Sequence, residues 1–116
     1  MPDDDAEIRA LLSDLTRRMP MSEEELRFRV EPLYANRDAA VRVLVDALGG
    51  DAHDLAAAAL HEIAAGEDAD LLVRSFRDSE RPDRARAEIA QVLTAVASER
   101  LETLLTSEEL HQLSIL

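Results

Sequence analysis

Leu44, Leu72 and Leu101 stand 28 and 29 residues apart, and Leu48, Phe76 and Leu105 repeat the same two intervals. A second register agrees: Leu60 precedes Ile89, and Ile63 precedes Val92, by 29 residues, and Ala56 and Ala58 match Ala85 and Ala87. A period near 29 is the length of one helix pair with its turns. Such a unit cannot cover its own apolar face, so the repeat commits the chain to packing one pair on the next.

The apolar spacing within each segment is helical. From Ala6 to Met19, residues Ile8, Leu11, Leu12, Leu15 and Met19 recur at three and four, the stripe of an amphipathic helix that Pro20 stops. Ser22 and Glu25 form a capping-box pattern, with Met21 and Leu26 placed for a hydrophobic staple. A second helix carries Leu26 and Val30 and is ended or kinked at Pro32, with Leu33 and Tyr34 assignable to either neighbour. Asp38 to Leu48 presents Val41, Leu44, Val45 and Leu48 and closes on Gly49 and Gly50, expected as a left-handed cap. Asp54 is placed to cap Leu55 to Ala65, whose Leu55, Ala59, Leu60 and Ile63 face inward, and Gly66 to end it in the same way. Asp68 or Asp70 opens a helix with Leu71, Leu72, Val73 and Phe76 that runs to about Asp78. Pro82 suits the first turn of the next, which carries Ile89, Val92, Leu93 and Val96. Ser98 is placed to cap a helix with Leu101, Leu104 and Leu105, and Ser107 a last one with Leu110, Leu113 and Leu116.

These segments predict an all-α fold in one domain, residues 1–116. Residues 1–37 form an N-terminal helix pair or cap, 38–105 the repeating part, and 106–116 a C-terminal helix. Composition fits: aromatics are 3% against 47% hydrophobic residues, so the core is built from Leu, Val, Ile and Ala. The absence of cysteine excludes disulfides and thiolate chemistry and agrees with a reducing compartment. The start Met1-Pro2-Asp3-Asp4-Asp5 lacks the basic and apolar regions of a secretory signal, and no apolar run approaches the roughly 20 residues of a membrane span, so a cytoplasmic location without membrane contact is expected. All 13 basic residues are Arg, against 25 acids, for a formal charge of −12. That balance disfavours nucleic acid, whose affinity comes largely from cations on phosphates. The Arg and Ala bias suggests a high-GC bacterial or archaeal coding sequence, and the acidity reads equally as an adaptation to high salt.

Leu72-Val73-Arg74-Ser75-Phe76-Arg77-Asp78, followed by Pro82-Asp83-Arg84-Ala85-Arg86-Ala87, resembles the short HEAT-like α-helical repeat, with Asp78 and Arg84 at that family's turn and inner-helix positions. The preceding unit, Leu44 to Ala65, matches in its apolar pattern but has Gly50 in place of the Asp and Ala56 in place of the Arg. The resemblance covers roughly residues 38–105. It implies antiparallel helix pairs stacked as a short α–α superhelix, and protein binding on the concave, inner-helix side.

The catalytic inventory is thin. His53, His61 and His111 show no His-x-x-x-His or Glu-x-x-His spacing, so no metal is expected. Ser22, Ser98 and Ser107 each precede acids at a helix start, where capping accounts for them. The runs Asp3-Asp4-Asp5 and Glu23-Glu24-Glu25 suit a helix's first turn and lack the loop and glycine of a calcium site. Arg74, Arg77, Arg81, Arg84 and Arg86 are interleaved with Asp78, Glu80, Asp83 and Glu88, which reads as internal salt bridging or as a patch for an acidic protein. The expected function is therefore a non-enzymatic protein-interaction or adaptor module without cofactor, binding another protein through His61, Arg84, Glu88 and Gln91. The alternative is a charge mimic of the immunity or inhibitor type, covering a basic surface of a toxin or nucleic-acid-binding protein. The apolar ending Leu113-Ser114-Ile115-Leu116 adds the expectation of a homodimer through the C-terminal helix.

Overall fold

Ile8, Leu12 and Leu15, spaced four and three apart, are all buried along one face of the first helix, α1 (Asp4–Arg17). The computed structural model describes residues 4–18 and 20–115, with side chains for 5–18 and 20–112. Among these residues every regular element is helical. The expected placements of Met19 and Leu116, and of the side chains of Asp3, Asp4, Leu113, Ser114 and Ile115, lie outside the described residues. Backbone contacts gather into two units, Met1–Ile63 and Ala64–Leu116.

In the first unit, α2 (Glu23–Val30) starts as expected: Ser22 has extended backbone, and the Glu25 N–H donates to its Oγ at 3.2 Å. α2 ends at Val30, two residues before Pro32, as expected. Pro32 sits at the start of a 3-10 run, Glu31–Asn36, where a missing N–H costs nothing, so Leu33 and Tyr34 belong to neither flanking α-helix. Leu33 is buried and Tyr34 exposed. α3 (Arg37–Ala47) is buried at Ala39, Ala40, Val41, Val43, Leu44 and Val45 and packs on both α1 and α4 (His53–Ile63). Apolar on most of its circumference, α3 is the core of this unit. α2 and the 3-10 run are tied to the end of α4: Arg27 Nε lies 3.2 Å from Glu62 Oε1, and the Tyr34 hydroxyl donates to the Glu62 carbonyl at 3.2 Å.

The α3–α4 connection, residues 48–52, departs from expectation at the second of its two glycines. Gly50 does not take the left-handed conformation. Its N–H donates to Ala47 O at 3.2 Å and its carbonyl accepts from the His53 N–H at 3.2 Å, so 3-10-type bonding closes α3. His53 Nδ1 lies 2.7 Å from Leu48 O. Because a carbonyl only accepts, that nitrogen carries the proton and the imidazole staples the turn. α4 therefore begins at His53, with Asp54 in its first turn and not at the cap.

The second unit opens with a 3-10 turn, Gly66–Asp68, which leads into α5 (Ala69–Arg77). Gly66 begins this turn, three residues beyond the end of α4, and is not left-handed. What fastens the turn is Asp68, 4% exposed, whose Oδ2 accepts from the Ala65 N–H at 2.9 Å. α5 buries Leu72, Val73 and Phe76 against α6 (Asp83–Ala97), which buries Ala85, Ile89, Ala90, Val92 and Leu93. Pro82 stands just before α6 in extended conformation, with the Arg86 N–H reaching its carbonyl at 3.0 Å.

Two further caps differ from expectation. Ser98 is helical and makes no side-chain cap; the backbone continues through a 3-10 turn, Ser98–Arg100, into α7 (Leu101–Leu104). Before α8 (Ser107–Ile115), the cap is Thr106 and not Ser107. The Glu109 N–H donates to Thr106 Oγ1 at 3.2 Å, and the Thr106 N–H donates to Glu109 Oε1 at 2.9 Å, a reciprocal capping box one residue upstream of the expected one.

The two αα-hairpins share their design. Each has a five-residue connection, 48–52 and 78–82, and the matched residues Ala56 and Ala85, Leu60 and Ile89, Ile63 and Val92, Leu48 and Phe76 are all buried.

Candidate functional site

α6 presents Arg84, Glu88 and Gln91 at intervals of four and three, so they share one face of the helix, away from Ile89, Val92 and Leu93. Arg84 and Gln91 are exposed and Glu88 is half-buried. His61 is exposed on α4, in the other unit. Its counterpart 29 residues on is Ala90, which is buried and is none of the three stripe residues. His61 and the α6 stripe thus hold different positions in the repeat.

The arginine cluster resolves largely into structural contacts. Arg77 forms a bidentate pair with Glu109, Nε to Oε2 at 2.7 Å and Nη2 to Oε1 at 2.9 Å, and Nη2 also donates to Leu104 O at 3.2 Å. The hydrogen bond from Arg77, with the backbone N–H of Thr106 behind it, holds the Glu109 carboxyl down to about 2 despite its partial burial, and the same bond raises the Arg77 guanidinium. One carboxylate therefore closes the N-terminus of α8 and anchors α5. Arg86 donates from Nε to the Phe76 carbonyl at 2.9 Å, and its guanidinium lies 5.0 Å from the Phe76 ring centroid. A cation on the last turn of α5 meets the negative end of that helix. Asp78, at the repeat's turn position, accepts from the Glu80 N–H at 3.1 Å and pairs with Arg81 at 3.5 Å. Arg86, two residues past the expected position, is what fastens α6 to α5.

Of the carboxylate runs, Asp5 pairs with Arg42 of α3 at 2.8 Å, and Glu23, Glu24 and Glu25 line the exposed start of α2. No group of three His, Asp or Glu side chains converges among the described residues, and no helix among them is long and apolar enough to cross a membrane.

Phe28 belongs to none of the stripes or polar clusters above. It is 70% exposed, the most exposed large apolar side chain described. The signal was available: Leu26 and Val30 are four apart and share a face, and Phe28, two residues from each, must point the other way. Comparison with family models, curated proteins and solved structures gives no match.

Proposed function

We propose that the chain is a non-enzymatic protein-interaction module, made of HEAT-like helix pairs that stack as a short α–α superhelix and meeting its partner through the α6 stripe Arg84, Glu88 and Gln91. The observation that supports this reading is the shared hairpin design: two five-residue connections with buried residues in matching register, a scaffold that holds a polar helix face rigid. Arg and Gln on a rigid helix offer a planar fork and an amide for directional contacts. His61 is exposed on α4, in the other unit, so the α6 stripe is proposed without it. Affinity capture from the native host, comparing the parent chain with an Arg84→Glu, Gln91→Arg variant, tests the proposal by mass spectrometry. Proteins lost with the variant support it, and an unchanged set refutes it.

A second reading is favoured by the three exposed acids Glu23, Glu24 and Glu25 and by the charge of −12: the chain covers a basic surface of another protein. Affinity carried by charge falls steeply with salt, while contacts centred on buried side chains respond little, so a salt series on the captured partner separates the two. Self-association through the C-terminal apolar residues remains part of the proposal. Light scattering on the parent and on a Leu113→Glu, Ile115→Glu variant tests it, and two equal monomer masses would dismiss it.

A further inference from the structure

Two open cavities of the first unit, about 380 and 570 Å³, share Leu11 and Pro32 and so form one groove along α1. Ile8, Leu11 and Leu15 of α1 supply one side, and Phe28 of α2 with Pro32 and Leu33 of the 3-10 run the other. Ile8, Leu15 and Leu33 are buried at its base, Leu11 is half-buried and Phe28 and Pro32 are exposed, with Asn36 and charged side chains among them. Its ionisable lining residues are Glu7, Asp14, Glu31 and Arg29, and the Arg29 guanidinium lies 3.6 Å from the Glu25 carboxylate. From Glu7 to Asp14 the groove follows two turns of α1, roughly 10 Å at the helical rise.

We infer that this groove takes a cationic amphipathic helix of a partner protein, whose apolar stripe covers Leu11 and Phe28 and whose Lys or Arg residues meet Glu7, Asp14 and Glu31. The inference rests on the reading of the chain as a protein-binding module but uses a surface distinct from α6. Three observations fix the occupant. An apolar floor two helical turns long, with an aromatic edge, matches side chains at i, i+3 or i+4, and i+7 of a docked helix. The rim carries Glu7, Glu31 and Asp14, the last paired with Arg18 at 3.1 Å, against the single lining cation Arg29, and the first unit as a whole has fourteen acids against seven arginines, so a cationic flank is drawn in and an anionic one repelled. A second copy of this chain, at −12, brings like charge to the rim, as an anionic lipid surface does. Phe28 then changes from an exposed ring to the side chain of α2 that a partner buries.

A phage-displayed library of random 16-residue segments, panned on the full chain, tests this. The expected winners carry net positive charge and apolar residues at three- and four-residue spacing. Their binding is expected to weaken roughly tenfold or more with Phe28→Ala, which leaves an exposed position shorter, and with Glu7→Arg, Glu31→Arg. The Arg84→Glu, Gln91→Arg variant is expected to bind them unchanged, so failure of the α6 proposal and failure of this one read out separately. Circular dichroism checks that each variant retains its helix content. No enrichment, winners that are neutral or acidic, binding indifferent to Phe28→Ala, or binding lost only in the α6 variant would overturn the inference. So would a parent dimer in sedimentation that Phe28→Ala disperses, which would assign the groove to a second copy.

Discussion

Phe76 is 1% exposed, packs in the α5–α6 interface, and carries Arg86 over its ring and on its carbonyl. Removing the ring leaves a cavity and strips the guanidinium of its platform, so Phe76→Ala is expected to cost about 3–5 kcal/mol in urea denaturation. Phe28→Ala, at an exposed site, is expected to stay within about 0.5 kcal/mol. Equal effects would mean that the two rings share an environment. Glu109 shows how one side chain serves two contacts. Its carboxyl is held down to about 2 in the folded chain, below the ordinary 4.5, so the folded state favours the ionised form. The resulting stabilisation is complete above pH 4.5 and declines as pH falls from there toward 2. Amide protection in α8, taken relative to the intrinsic exchange rate at each pH, should fall across that window in the parent, whereas Glu109→Gln should show lower protection at neutral pH and little further loss on acidification.

At the scale of elements, the glycine turns carry the clearest revision. A left-handed Gly50 would make Gly50→Ala destabilising. With its backbone outside that region and the nearest atom to an added Cβ, Ala47 O, 3.8 Å away, the substitution is expected to stabilise by about 0.4–1 kcal/mol, chiefly by restricting the unfolded chain. A lower urea midpoint would restore the left-handed reading. Much of the helical scheme was legible from apolar spacing, because a buried stripe leaves the same three-and-four pattern in sequence that it occupies in space. Ile8, Leu12 and Leu15, Leu44 and Leu48, Leu60 and Ile63, and Ile89, Val92 and Leu93 are all buried. The 3-10 stretches were not legible, since Pro32 reads as a break unless the following turn can accept it at its start. Cap identity at α8 was misplaced by one residue because Thr106 and Ser107 are both competent, and the choice is made by Glu109, which Arg77 holds from another helix. The groove was hidden for a similar reason: Leu11 looked like one more core residue of α1, and only the course of residues 28–33 leaves it half-buried beside an exposed ring.

For the whole molecule, excess negative charge sets the response to salt. Both units are acidic, with fourteen acids against seven arginines in residues 1–63 and eleven against six in residues 64–116. The pairs Arg18–Asp14, Arg27–Glu62, Arg42–Asp5 and Arg77–Glu109 lie within 3.2 Å, while the carboxylates in excess repel one another over longer distances. Screening acts on those distances first: the Debye length falls from about 30 Å at 0.01 M to about 8 Å at 0.15 M. Close pairs at the surface, each worth about 0–1 kcal/mol, lose less than the summed repulsion does. Thermal unfolding in sodium chloride between those two concentrations is therefore expected to show a midpoint rising by several degrees, and a falling midpoint would mean that the local pairs dominate. The same series bears on the groove. Salt that strengthens the fold should weaken a cationic helix seated between Glu7, Asp14 and Glu31, so stability and binding should move in opposite directions. Loss of a cationic ligand at high salt then reports on the charges of the rim, because the protein that releases the ligand is at that point more firmly folded than the one that held it.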